Sequence, residues 1–248
     1  HRFLDLPSTI SFQSVIHLHI SDAVEGIIAV ELPISKSVAN RELILDALST
    51  ESLCQEQDDW PEDVAILFKS LKSTSRIIDL GHAGTAMRFS IAYHALQEEN
   101  RVLRGSQRMH ERPIGELVEA LNDLGAKIRY LETEGYPPLE ISESITSGGN
   151  VSMEGRKSSQ FITALLLTGC RMGQGLDLRL VPPISSRSYI DLTLAIMRQW
   201  GIHFEQEENF IAIPRQDILP RRMSYENDWS AAAFFYGLVA QGVPSILK

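Results

Sequence analysis

Between Gly84 and Ile213 the same order of elements runs twice. A helical pattern opens at Gly84. A strand follows at Arg101–Arg104, a second helix runs from Pro113 to a stop at Leu124-Gly125, and two strands come after it, 126–131 and 139–141. The order returns as a helix from Ser158, a strand at 176–180, a helix from Ser188 to a stop at Trp200-Gly201, and strands at 202–205 and 210–213. Gly84 to Ser158 is 74 positions and Gly125 to Gly201 is 76. A period held over that distance marks one supersecondary unit used more than once. A weaker copy over about 28–80 makes three. The expected fold is α/β (α+β): a pseudo-threefold globe of repeated β-α-β-α-β-β units, with buried helices and outer sheets. The helices after Gly84 and over Phe161–Leu167 are apolar on most sides, as buried helices are. Two strands, 14–20 and 26–32, precede Pro33, and an apolar helix over 231–239 lies near the end.

The chain has 248 residues and a net charge of −9. That charge argues against nucleic acid as a partner, because a phosphate backbone needs a basic face. A small phosphorylated ligand needs only a local basic pocket. No apolar run reaches the ~18 residues of a membrane span, and the start lacks the apolar core of a secretory signal. Cys54 and Cys170 have no metal-type spacing and sit among apolar residues, which fits free thiols in a reducing, cytoplasmic compartment.

Polar residues gather where helices begin. Arg108 and Arg112 flank Glu111 just before Pro113, which is favoured at a first helical position. The helix carries Ile114, Leu117, Val118, Leu121 and Leu124 on one face and is closed by Gly125. An anion is welcome at such a positive end, and a guanidinium can grip a phosphate or carboxylate with two prongs. As an isolated pair the two arginines would read as a solvated loop bonded to Glu111 and Asp123. Lys36 stands at the mouth of a helix that Ser35 or Ser37 can cap, with Arg41 one turn inside. Gly81-His82-Ala83-Gly84 lets the backbone approach a ligand closely, and Arg88, inside an apolar helix, must be paired or face a polar cavity. Ser158, Ser159 and Gln160 open one helix, and Ser185 to Tyr189 another. Asp58 and Asp59 suit the start of a helix with Val64, Leu67, Phe68 and Leu71 on one face.

Six stretches carry a family resemblance, in one order along the chain. They are Ile34 to Arg41 (ISKSVANR), Ala83 to Arg88 (AGTAMR), Arg108 to Gly115 (RMHERPIG), Ser158 to Phe161 (SSQF), Ser186 to Asp191 (SRSYID) and Asp228 to Ser230 (DWS). Together they resemble the 5-enolpyruvylshikimate-3-phosphate synthases. The resemblance implies transfer of an enolpyruvyl group from phosphoenolpyruvate to the 5-hydroxyl of shikimate 3-phosphate, with no metal and no organic cofactor. It assigns Lys36, Ser37, Arg41, Ser158, Ser159, Gln160, Ser186 and Tyr189 to shikimate 3-phosphate. Lys36, Gly84, Arg108 and Gln160 would meet phosphoenolpyruvate, and Lys36, Arg108 and Gln160 would be catalytic. No membrane or nucleic acid is expected as a partner, and the full-length protein is expected to be a monomer.

The family is a pair of similar globes, and its acid–base carboxylates lie in the second. Residues 33–223 would form one complete globe. Residues 1–32 and 224–248 would belong to the other, so the chain is expected to be an incomplete, inactive portion. His82 stands where the family usually has Asn, Phe89 where Pro follows the Arg, and Asn227 where Gly precedes the Asp. Two other readings are a relative that transfers enolpyruvyl to UDP-N-acetylglucosamine and a non-catalytic anion-binding module. The first normally has a reactive Cys in the loop matching Gly105–Arg112, where this chain has none.

Overall fold

The computed structural model describes residues 28–156, 158–223, 225–240 and 245–247. In chain order its elements are β1 (Ile28–Val30), α1 (Lys36–Leu48), α2 (Glu62–Lys72), β2 (Ile77–Asp79), α3 (Gly84–His94), β3 (Arg101–Arg104), α4 (Gly115–Asp123), β4 (Lys127–Tyr130), β5 (Leu139–Glu143), β6 (Gly149–Glu154), α5 (Ser159–Gly169), β7 (Leu176–Val181), α6 (Arg187–Gln199), β8 (Glu205–Gln206), β9 (Phe210–Ile213), α7 (Trp229–Ala240) and β10 (Ser245–Leu247). The expected strand at 14–20 lies outside the described residues. The chain divides into two units, the larger running from Ile34 to Glu226.

The larger unit holds two four-stranded sheets of identical order, β2-β3-β5-β4 and β6-β7-β9-β8. In each, the first two strands are parallel and the other pairings antiparallel. A parallel pair needs a crossover, and α3 and α5 supply it. Strand β7 turns Leu176, Leu178 and Leu180 inward and leaves Arg179 and Val181 outside, as a sheet with one wet face does. Helices α1, α3 and α5 are buried nearly all round. Helices α4 and α6 bury one face each, through Leu117, Val118 and Leu121 and through Ile190, Leu194 and Met197. The buried helices lie inside and the sheets outside, as the apolar pattern predicts.

Two β-α-β-α-β-β copies are therefore complete among the described residues, where the repeat pattern predicts three. Between β1 and β2 there are only the helices α1 and α2. Strand β1 pairs in parallel with β10, within the smaller unit. This pairing joins the last segment to a strand that precedes Pro33.

Three local expectations change. Helix α4 begins at Gly115, not Pro113: Ile114 is non-helical at φ −136°, ψ 3°, and its N–H bonds the Gly135 carbonyl at 2.9 Å. The acidic residues in the first turn of α2 are Glu62 and Asp63, because the chain turns at Asp58-Asp59 before the helix starts. The strand expected at 202–205 is reduced to Glu205–Gln206, since Ile202 is held in the closure of α6. No helix among the described residues is long and apolar enough to cross a membrane.

Candidate active site

Strand β2 ends where the chain must reverse into α3, and Gly81 makes the reversal at φ +53°. Its carbonyl accepts the Ser106 N–H at 2.8 Å. That bond ties the glycine turn to the loop after β3, which carries Arg108 and Arg112. Between them lies a cavity of about 370 Å³, lined by Gly84, Thr85, Arg88, Arg108, Met109 and Arg112, with Asp63, His82 and Gln160 completing the wall. Gly84 leaves room for the guanidiniums: a Cβ there would displace the flexible end of Arg112 and lie 3.1 Å from Arg88 Nη1.

Arg88 reaches the cavity from inside α3. Nη1 donates to the Gly84 carbonyl at 2.8 Å and Nη2 to the Pro113 carbonyl at 3.4 Å. Its guanidinium lies 5.5 Å from the centre of the Phe161 ring, and its buried Nε has no partner among the described residues. Burial, then the charge of Arg112, lowers its pKa to about 10, so it stays cationic at neutral pH. Three guanidiniums around one cavity favour an anion in it.

The predicted residues fall into two groups. Gly84, Arg108 and Gln160 line the cavity, and Gln160 Nε2 donates to Thr85 Oγ1 at 3.0 Å. Lys36, the first residue of α1, stands beside this group, with Nζ 3.9 Å from Asp63. Ser37, Arg41 and Tyr189 form the second group: Arg41 Nη1 donates to the Ser37 carbonyl at 2.6 Å, and Nη2 to the Tyr189 carbonyl at 3.3 Å. Ser158 and Ser186 are the N-cap residues of α5 and α6, and Ser159 is the first residue of α5. Ser186 takes the left-handed conformation at φ 54°. Ser35, Ser158 and Ser186 all sit at N-caps, yet none makes a side-chain capping bond.

A family model described as EPSP synthase (3-phosphoshikimate 1-carboxyvinyltransferase) matches residues 62–242, well over half the chain. The chain belongs to the EPSP synthase family. A 3-phosphoshikimate 1-carboxyvinyltransferase of Bacteroides fragilis is 40% identical over 220 residues, covering 85% of this chain and 52% of that protein. One of Aliivibrio salmonicida is 38% identical over 241 residues, covering 85% and 56%. The solved EPSP synthase of Acinetobacter baumannii superposes with a TM-score of 0.66 at 19% identity, over 84% of this chain and 52% of the other. The mixed α/β fold is thus the EPSP synthase fold, and the chain spans about half the length of the curated relatives it matches.

Within this family member, the cavity wall includes residues to which the motifs gave no site role. Arg88 carried a signal, a charge inside an apolar helix, and it does face the cavity. Arg112 carried one as half of an Arg pair, and among the described residues no ion pair joins the two arginines to Glu111 or Asp123; Asp123 lines a separate hollow instead. Thr85 sits inside a quoted motif. Asp63 had no local signal, because only the packing of α2 against α3 brings it to the wall.

Proposed function

We propose that this chain takes part in transferring the enolpyruvyl group of phosphoenolpyruvate to the 5-hydroxyl of shikimate 3-phosphate, with release of phosphate. The observation that supports it is the cavity itself, where Gly84, Arg108 and Gln160 meet two further guanidiniums. The two substrates together carry two phosphates and two carboxylates. Lys36, Gly84, Arg108 and Gln160 would face phosphoenolpyruvate. Lys36, Ser37, Arg41, Ser158, Ser159, Gln160, Ser186 and Tyr189 would hold shikimate 3-phosphate.

In the reaction, the 5-hydroxyl oxygen gives up its proton to a base as it bonds to C2 of phosphoenolpyruvate, while C3 takes a proton from an acid, giving a tetrahedral intermediate. The C2–O bond to phosphate then breaks as C3 returns its proton. Charge stabilisation by donors already in place is usually the largest catalytic contribution, and Lys36, Arg108 and Gln160 would supply it here. The acid–base carboxylates would belong to a second globe, with residues 1–32 and 224–248 as its share of this chain. The protein would work as a cytoplasmic monomer on small-molecule substrates.

Calorimetry with shikimate 3-phosphate and phosphoenolpyruvate, alongside a phosphate-release assay, tests this reading. Shikimate 3-phosphate should bind the wild-type chain. Phosphoenolpyruvate, added to that complex, should bind roughly thirtyfold more weakly to Arg108→Ala, the loss expected for a hydrogen bond to a charged group. A folded chain that binds neither substrate would refute it. Binding without phosphate release would fit both a chain that lacks its second globe and a non-catalytic anion-binding module.

A further inference from the structure

The buried group around Arg41 has its protons fixed by counting. Arg41 is 3% exposed, and Thr163 and Thr193 are each 0% exposed. A guanidinium has five N–H donors and no acceptor, and a threonine hydroxyl has one proton to give. The Thr193 hydroxyl donates to the Tyr189 carbonyl at 2.7 Å. Its oxygen can therefore only accept from Arg41 Nε, at 2.8 Å, and from the Thr163 hydroxyl, at 3.0 Å. With its proton spent on Thr193, Thr163 accepts from Arg41 Nη2 at 3.4 Å. The second Nη2 proton goes to the Tyr189 carbonyl and one Nη1 proton to the Ser37 carbonyl. Four of the five donors are used, all on neutral oxygens, and a single Nη1 N–H is left.

The guanidinium also lies over two aromatic rings. Its carbon lies 5.9 Å from the centre of the Tyr189 ring and 6.0 Å from that of Phe89. Neutral acceptors hold a cation in place without cancelling its charge. Two of the residues that contact it, Ser37 and Tyr189, are among those proposed to hold shikimate 3-phosphate.

We infer that Thr163 and Thr193 are positioning residues: their hydroxyls fix the Arg41 guanidinium so that one Nη1 N–H alone is offered to a ligand oxygen. This rests on the assignment of the Arg41 group to shikimate 3-phosphate. It sharpens that assignment, because a single donor suits a ring hydroxyl or one carboxylate oxygen. A two-pronged grip on the phosphate would need two.

The test is shikimate 3-phosphate calorimetry on Thr193→Val and Thr193→Ser, with the Arg41 Nε–H NMR signal followed in the ligand-free chain. Thr193→Val keeps the shape and removes the hydroxyl. It should weaken binding roughly tenfold or more and expose the Nε–H to rapid exchange with water. Thr193→Ser restores the hydroxyl, and both readouts should return to near wild type, which a purely packing role of the threonine would not produce. If Thr193→Val fails to fold, Thr163→Val gives the same reading through the Nη2 side, with a smaller loss. Unchanged affinity and an unchanged Nε–H signal in a folded valine variant would overturn the inference. A wild-type chain that does not bind shikimate 3-phosphate would count against the proposed function instead, and the Nε–H signal would still decide whether the threonines hold Arg41.

Discussion

The two complete repeats share a backbone and differ in what they place at their helix mouths. In the first, the Gly81 carbonyl accepts the Ser106 N–H at 2.8 Å. In the second, the Gly155 carbonyl accepts the Ser185 N–H at 2.8 Å. Helix α4 ends with Gly125 bonded to Asn122 and Ala126 to Leu121. Helix α6 ends with Gly201 bonded to Arg198 and Ile202 to Met197, each of the four bonds being 3.0 Å. This is the same two-bond glycine closure in both. The mouths diverge: Arg88, Arg108 and Arg112 gather on one cavity in the first, whereas in the second Ser158, Ser159, Gln160, Ser186 and Tyr189 supply hydroxyls and an amide and the cation at the mouth of α6, Arg187, is turned onto Asp191. The scaffold constrains the turns and closures, and leaves the first turns open to different chemistry.

The repeats also part at the far ends of their inner helices. Helix α3 ends on His94 and α5 on Gly169. A Cβ on Gly169 would lie 2.8 Å from Leu176 Cβ, so the second sheet has closed over a space that a side chain fills in the first. His94 Nε2 lies 3.3 Å from Ser70 Oγ, and its buried Nδ1 has no partner among the described residues. Burial, then the charge of Arg101, lowers its pKa to about 4.

That difference gives the largest effect. The ordinary histidine value is 6.5, so between pH 6.5 and 4 the unfolded chain takes up a proton that folded His94 refuses. Stability from this group is present above pH 6.5 and is lost as pH falls towards 4, by about 3 kcal/mol. Thermal unfolding across that range should show the loss, and His94→Gln should remove it. An equally steep acid loss in the variant would place the sensitivity elsewhere.

The shared closures predict equality. Gly125 and Gly201 hold φ +104° and +73°, where a side chain is strained. Alanine at either should cost about 1 kcal/mol in urea unfolding. A Cβ at Gly201 meets nothing within 4 Å, so its loss would be pure backbone strain, and a neutral Gly201→Ala would break the equivalence of the two repeats. The smallest effect concerns the bridge between them. Thr85→Val removes the acceptor of Gln160 Nε2 and should lower stability by less than about 1 kcal/mol. A drop well beyond that in the urea midpoint would mean that the repeats depend on this contact to stay together.

Periodicity made the repeats legible, because a buried helix must be apolar all round and a glycine stop needs a glycine. The third copy is the weakest in the sequence and in the structure alike: α1 and α2 match their counterparts, but among the described residues it has no four-stranded sheet of its own. Pro113 misled because its fixed φ suits a first helical turn, whereas the Ile114 N–H already has a partner in Gly135. Gly84, Arg108 and Gln160 could be picked from short motifs and do line one cavity. Asp63 could not be, since nothing around it in the chain reports that α2 will lean over α3.

The three bare serines at the N-caps of α1, α5 and α6 have a thermodynamic consequence. A serine there normally contributes about 1 kcal/mol by satisfying an orphan N–H of its own helix, and these three leave that contact unmade. An oxygen-rich ligand seated against any of them would act as the missing cap of that helix. Its binding energy would then be spent partly on stiffening the helix's first turn. Any substitution that repaired a cap from within the chain would compete with the ligand and trade affinity for rigidity.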